Sequence, residues 1–208
     1  MNRADTDAID ADMMRRCLAL SKSSSDQGEY PYAAVICQAG KFVCESINRV
    51  AHEKDVMRHA EVVALSEAQK LLGRSSLDDC TLYGVAEPCA YCSYAIRETR
   101  IGRVVYGLRS PVMGGHSRWN ILDDSGLSDT MPEVFADAPE IVAGPMSYEA
   151  ADIFAAWNPL FWRFIKSRGL FVAGPVAVYA PGGTRRNKVW RWTVNAFRRN
   201  VIDRLGRR

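Results

Sequence analysis

The chain has 208 residues, enough for one large domain or for one ordinary domain with an extension. Its 48% hydrophobic and 25% charged residues fit a globular protein, and no run of about 18 uninterrupted apolar residues marks a membrane-spanning helix. The net charge of +3 conceals a split: residues 160–208 hold twelve Lys and Arg against one acid, Asp203, which leaves residues 1–159 at −8.

An acidic body and a basic tail are two objects. We expect a domain over residues 1–168 and a basic linker with an amphipathic extension over 169–208. The first seventeen residues carry Asp5, Asp7, Asp10 and Asp12 and no apolar core, so they do not read as a secretion signal. A cytoplasmic location is expected. There, Cys89 and Cys92 in a Cys-x-x-Cys pair point to metal or redox chemistry before a disulfide.

In chain order, Ile9, Met13, Cys17 and Leu20 recur at helical spacing and predict an amphipathic helix over the first twenty residues. Residues 21–29 are polar and read as a loop. Strands are expected over 32–38 and 42–47, joined at Ala39-Gly40 as a hairpin. Residues 58–72 form a helix stopped by Gly73. A buried strand over 81–85, a helix over 89–99 opened by Pro88, and a strand over 103–106 follow. Two strands joined through a helix imply a parallel crossover. Residues 108–139 read as a long loop with short helical pieces, and loops of that length are usually functional. A last strand over 140–142 and one or two helices over 148–167 close a three-layer α/β domain. Cys17, Cys37, Cys44 and Cys80 fall in these patterns as small core residues, and His52 reads as a surface residue.

Three residue types converge at two of these helix starts. His59-Ala60-Glu61 opens one, and Glu87-Pro88-Cys89-Ala90-Tyr91-Cys92 opens the other. One imidazole and two thiolates leave zinc a fourth position for water, and a helix N-terminus favours thiolate over thiol. Cys89 and Cys92, three apart, share a helix face. Glu61, two residues past His59, is spared to act as a base. Zinc lowers the pKa of bound water toward about 7, which suits hydrolysis at an amidine-like carbon.

His-x-Glu followed by Pro-Cys-x-x-Cys is the signature of the zinc deaminases. Together with Pro31-Tyr32-Ala33-Ala34-Val35, Asn48-Arg49, Thr81-Leu82-Tyr83 and Arg103-Val104-Val105-Tyr106-Gly107, it spans residues 30–150. This region resembles the cytidine and deoxycytidylate deaminase superfamily, in particular bacterial tRNA adenosine deaminases and cytosine or guanine deaminases. The resemblance implies a three-layer α/β/α fold with a mixed five-stranded sheet flanked by helices. It also implies one zinc per chain held by His59, Cys89 and Cys92, with Glu61 as the catalytic acid and base. Asn48 and the backbone of Ala60 are then expected to contact the substrate, and Tyr32 to floor the pocket or join the core. A homodimer or higher homo-oligomer is expected on the same ground.

Singly, these residues have ordinary readings. Asn48 could cap or turn the chain, and His59 or Cys89 could be plain buried residues. A structural zinc site or a catalytically decayed relative also stays open, whereas a thioredoxin-like role for the cysteines leaves His59 and Glu61 unexplained. In the long loop, His116 stands near Arg118 and Trp119, which could stack on a flat heterocycle; a surface loop with one buried tryptophan is the alternative.

The substrate divides the readings. A tRNA enzyme calls for a basic surface, and the body is acidic, so a free nucleobase or nucleoside is the first expectation and wobble adenosine of a tRNA the second. A non-catalytic zinc-binding relative is the third. The tail argues for the second: Trp190, Val194, Phe197, Val201 and Leu205 form an apolar stripe flanked by arginines, suited to RNA, an anionic membrane, an acidic partner or its own body.

Overall fold

The computed structural model describes residues 3–174; the helix expected in the tail lies outside these residues. The elements are α1 (Arg3–Asp26), β1 (Ala33–Gln38), β2 (Lys41–Ile47), α2 (Val50–Glu53), α3 (Ala60–Leu72), β3 (Cys80–Ala86), α4 (Ala90–Glu98), β4 (Arg103–Leu108), α5 (Ser125–Thr130), β5 (Glu140–Ala143), α6 (Ser147–Trp157) and α7 (Pro159–Ser167). One sheet orders its strands β2-β1-β3-β4-β5. The β1 strand runs antiparallel to β2 and β3, while β3, β4 and β5 run parallel.

Period-2 alternation sorts the sheet's side chains into two cores. Ala33, Val35, Cys37, Tyr83, Val85 and Val105 face one side, against Met13, Met14 and Cys17 of α1, Phe154 of α6 and Trp162 of α7. Ala34, Ile36, Leu82, Val104 and Tyr106 face the other, against Ala60, Ala64, Leu65 and Ala68 of α3 and Ile96 of α4. The result is the expected three-layer α/β/α arrangement with a mixed five-stranded sheet. Cys17, Cys37, Cys44 and Cys80 are all buried, as expected of small core residues.

Several boundaries differ from the sequence expectation, each for a physical reason. The first helix does not stop at residue 20 but continues to Asp26. Ser21 and Ser24 are buried and donate to the carbonyls of Pro31 and Tyr30, so a serine-rich stretch forms an inward helical face where a loop was expected. The helices expected from Arg58 and Cys89 start at Ala60 and Ala90, because His59 and Cys89 are N-caps with extended backbone. The four-residue α2 was not expected.

The hairpin turn is as read: Ala39 and Gly40 both have positive φ, as a two-residue type I′ turn requires. Asp10 of α1 anchors that helix to the sheet through a paired contact with Arg103, 2.7 Å on each side, and accepts from the Tyr83 hydroxyl at 2.9 Å. Beyond α7 the chain stays packed: Phe171 joins the α1 side of the core, and Val172 pairs with Arg109. No helix among the described residues is long and apolar enough to cross a membrane.

Candidate metal centre and catalytic site

Two helix N-termini meet on the α3/α4 side of the sheet. His59 caps α3 and Cys89 caps α4, and neither side chain makes a capping hydrogen bond. Both turn toward Cys92 instead. The Nδ1 atom of His59 lies 3.3 Å from Cys92 Sγ and 3.5 Å from Cys89 Sγ, and the two sulfurs are 3.6 Å apart. Tetrahedral zinc with bonds of about 2.3 Å to sulfur and 2.0–2.1 Å to nitrogen spaces its ligands by about 3.8 Å between sulfurs and about 3.6 Å between nitrogen and sulfur. The three side chains fit such an ion, and among the described residues they are the group so arranged.

The two thiols share one negative charge. Hydrogen bonds from Cys92 and from His59 draw Cys89 down to about 4. That thiolate, with burial next in effect, pushes Cys92 well above the ordinary thiol range. The hydrogen bond to Cys89 also raises His59. A divalent cation at the centre of this triangle stabilises the second thiolate directly.

Glu61 sits one residue into α3, is 8% exposed and brings Oε2 within 3.5 Å of Cys92 Sγ. Burial raises its carboxyl above the usual range, and the Cys89 charge adds to the rise. A carboxyl beside a metal triangle with an affinity raised toward neutrality is suited to carry a proton. Ala60, fully buried, is the first residue of α3, where backbone N–H groups lack intrahelical acceptors.

The other expected contacts fall as follows. Asn48 is buried at the end of β2 and donates from Nδ2 to Glu29 Oε1 at 3.0 Å. Tyr32 packs edge-on against Phe154 at 5.2 Å, so it belongs to the core margin, and its hydroxyl is raised by burial and then by the Glu61 and Cys89 charges. Tyr32 therefore borders both core and site. His116 accepts or donates through Nδ1 to the Tyr106 hydroxyl at 2.7 Å. Trp119 is 54% exposed beneath the Arg118 guanidinium, 5.0 Å away, so the loop tryptophan is not buried. His52 is exposed, as expected.

Two acids and a base have roles that the sequence did not assign, although Glu87 stands in the Glu87-Pro88-Cys89 run. Glu87, directly before Pro88-Cys89, is 5% exposed, and its carboxylate accepts from the N–H groups of Ser110, His116 and Ser117 and from the Ser117 hydroxyl. It staples the 110–117 loop to the Pro88-Cys89 turn. Gly114 makes this possible, since a Cβ there would lie 1.9 Å from Glu87 Oε1. At the far end of α4, the buried Arg97 guanidinium donates to the carbonyls of Ile121, Leu122, Asp124 and Ala136 and to Ser128 Oγ. Glu29 is the third. Only its place directly before Tyr30-Pro31-Tyr32 marks it in the sequence.

Residues 7–108 match the family model of the cytidine and deoxycytidylate deaminase zinc-binding region. A tRNA-specific adenosine deaminase of Aquifex aeolicus is 35% identical over 116 residues, covering 55% of this chain and 77% of that protein. A tRNA(Ile)-lysidine synthase of Deinococcus radiodurans is 35% identical over 139 residues, 66% of this chain, but the chain spans 22% of that longer protein. The chain likewise spans 9% of the chloroplastic tRNA(adenine(34)) deaminase of Arabidopsis thaliana. Among solved structures, one from work on A-to-I editing by tRNA:A34 deaminases superposes with a TM-score of 0.59 at 30% identity, covering 68% of this chain and 97% of that one. A guanine deaminase of Nitrosomonas europaea, at 21% identity, shares the fold with a TM-score of 0.58 over 72% of this chain and 84% of its own. With its signature residues gathered in this fold, the chain belongs to the cytidine and deoxycytidylate deaminase family.

Proposed function

We propose that the chain is a zinc-dependent hydrolytic deaminase that exchanges a ring amino group for oxygen, with the wobble adenosine of a tRNA as its substrate. The observation that carries the chemistry is the His59–Cys89–Cys92 triangle with the Glu61 carboxyl 3.5 Å from one of its sulfurs. Held by these three residues, zinc supplies an acidified water at neutral pH. Glu61 Oε2 takes a proton from the attacking water and passes it to the ring nitrogen beside the reacting carbon. The same oxygen then takes the second proton, from the hydroxyl now on the carbon as it becomes a carbonyl, and delivers it to the departing amine. A carbon–oxygen bond replaces the carbon–nitrogen bond, water is consumed and ammonia leaves.

Adenosine in tRNA takes precedence over a free base because relatives at 30% identity or more of which the chain covers over three quarters include tRNA-specific adenosine deaminases. This reverses the order that the acidic body alone supports. The −8 of residues 1–159 keeps a free nucleobase or nucleoside as the second reading. A cytoplasmic homodimer or higher homo-oligomer belongs to the same proposal.

The test is a panel: an anticodon stem-loop carrying wobble adenosine, and free guanine, cytosine, adenine and their nucleosides, with inosine and ammonia as readouts. Inosine in the stem-loop and no ammonia from the small molecules is the expected result. Turnover of a free base without inosine installs the second reading. Full zinc occupancy with no turnover anywhere leaves a binding protein.

A further inference from the structure

Glu29 is fully buried, and nothing in the metal centre accounts for it. Its carboxylate joins three stretches of chain. Oε1 accepts from Tyr30 N at 2.9 Å, Asn48 Nδ2 at 3.0 Å and Ala51 N at 3.2 Å. Oε2 accepts from Ala51 N at 2.9 Å and His52 N at 3.0 Å. Four N–H donors address one carboxylate, which in its ionised form can only accept.

That restriction fixes the Asn48 amide. The two ends of an asparagine side chain look alike, but only the nitrogen end can face an acceptor. The Oδ1 end is therefore turned away from Glu29, and no described residue donates to it. Asn48 is 3% exposed as a residue, yet Oδ1 is not among the fully buried side-chain atoms lacking a partner, so this oxygen stays open to a donor from outside. The residue also lies close to the site: its N–H donates to the Tyr32 carbonyl at 2.9 Å, and the N–H of the next residue, Arg49, donates at 3.0 Å to the carbonyl of Arg58, directly before His59.

We propose that Glu29 is a positioning residue for substrate choice: by holding Asn48 Nδ2 it presents Asn48 Oδ1 as an acceptor, so the favoured substrate carries an N–H or O–H donor at that point. The inference rests on the deaminase reading given above. It adds the polarity of one contact and the residue that sets it. A site built around such an acceptor rejects analogues lacking the donor, because the oxygen is then left unpaired.

Exchanging polarity across the pair tests this. In Glu29→Gln the Oε2 position can keep an oxygen for Ala51 and His52, but the other end becomes a donor and opposes both Asn48 Nδ2 and the Tyr30 N–H, the second loss being shared by the double variant. In Asn48→Asp two carboxylates face each other. When both substitutions are combined, the new amide at position 29 donates to the new carboxylate at position 48, whose second oxygen is again an acceptor for the substrate.

KM, kcat and zinc content are measured for the full chain and the three variants on whichever probe the unmodified chain turns over, the wobble-adenosine stem-loop or free guanine, adenine or cytosine. Each single variant is expected to raise KM by roughly tenfold or more with zinc unchanged, and the double variant to recover most of that loss. Additive losses in the double variant would make Glu29 a backbone strut and overturn the proposal. If Glu29→Gln does not fold, the comparison of Asn48→Asp with the double variant decides, and a double variant no better than Asn48→Asp overturns it. No turnover of any probe by the unmodified chain sinks the deaminase reading and this inference together, whereas activity with additive variants sinks the inference alone.

Discussion

At the scale of single residues, the metal triangle has a pH signature. Cys89 is held down to about 4 by its bonds from Cys92 and His59, so it is already a thiolate at neutral pH. Cys92 is pushed well above its ordinary value and His59 is raised, so a proton on Cys92, and a fraction of one on His59, must leave when a cation binds. Zinc affinity should therefore rise with pH by about tenfold per unit for each displaced proton, as chelator competition between about pH 6 and 8 would measure. A flat profile would mean that both thiols are already charged and that the coupling between them is wrong. These residues were legible in the sequence because imidazole, thiolate and carboxylate at two helix starts form a pattern with a spacing. Glu29 and Glu87 were not, since a carboxylate that collects backbone N–H groups depends on where distant loops return, which no local spacing records.

At the scale of elements, α4 acts as a post with a loop tied to each end. Glu87 holds residues 110–117 at its start, and Arg97 holds 121–136 at its finish. Arg97→Met removes the guanidinium from the carbonyls of Ile121, Leu122 and Asp124, while Ala136 keeps the Ser128 hydroxyl, and should cost on the order of 3 kcal/mol in unfolding free energy. Faster amide exchange confined to 121–136 should accompany it; uniform acceleration would point instead to a general loss of the core. Gly115 makes a second test, because a Cβ there would lie 1.9 Å from Ser93 Oγ on α4. Gly115→Ala should lower turnover through loop displacement, with zinc retained, and Ser93→Gly in the same chain should restore part of it by removing both Oγ and the Cβ that would lie 2.4 Å away. The strands and the longer helices were expected from periodicity and turn residues, whereas the four-residue α2, and which strand residues face which helix layer, were not. The ends of α1, α3 and α4 did not follow, because buried serines bonding to Tyr30 and Pro31 look like a loop in composition, and N-caps with extended backbone look like helix.

At the scale of the whole molecule, the acidic first 159 residues and the strongly basic remainder set the question of what the enzyme meets. If the basic segment recruits RNA, removing residues 175–208 should abolish inosine formation in the stem-loop while leaving zinc content intact, and raised salt should weaken the full chain in the same direction. Unchanged editing by the shortened chain would confine RNA recognition to the body. The layer order was legible from the succession of strands and helices, but the substrate was not: total charge favoured a small base, whereas the proposed tRNA substrate draws on relatives that are tRNA-specific adenosine deaminases. Charge sums over a domain say little about the few side chains that meet a ligand. The central claim is that Glu61 moves protons at a zinc held by His59, Cys89 and Cys92. Its most direct test compares ammonia release by the zinc-loaded chain and by zinc-loaded Glu61→Ala on the wobble-adenosine stem-loop. The account predicts equal zinc, one ion per chain, and a loss of turnover of roughly 10²–10⁴-fold in the variant. Equal turnover at equal zinc would contradict it.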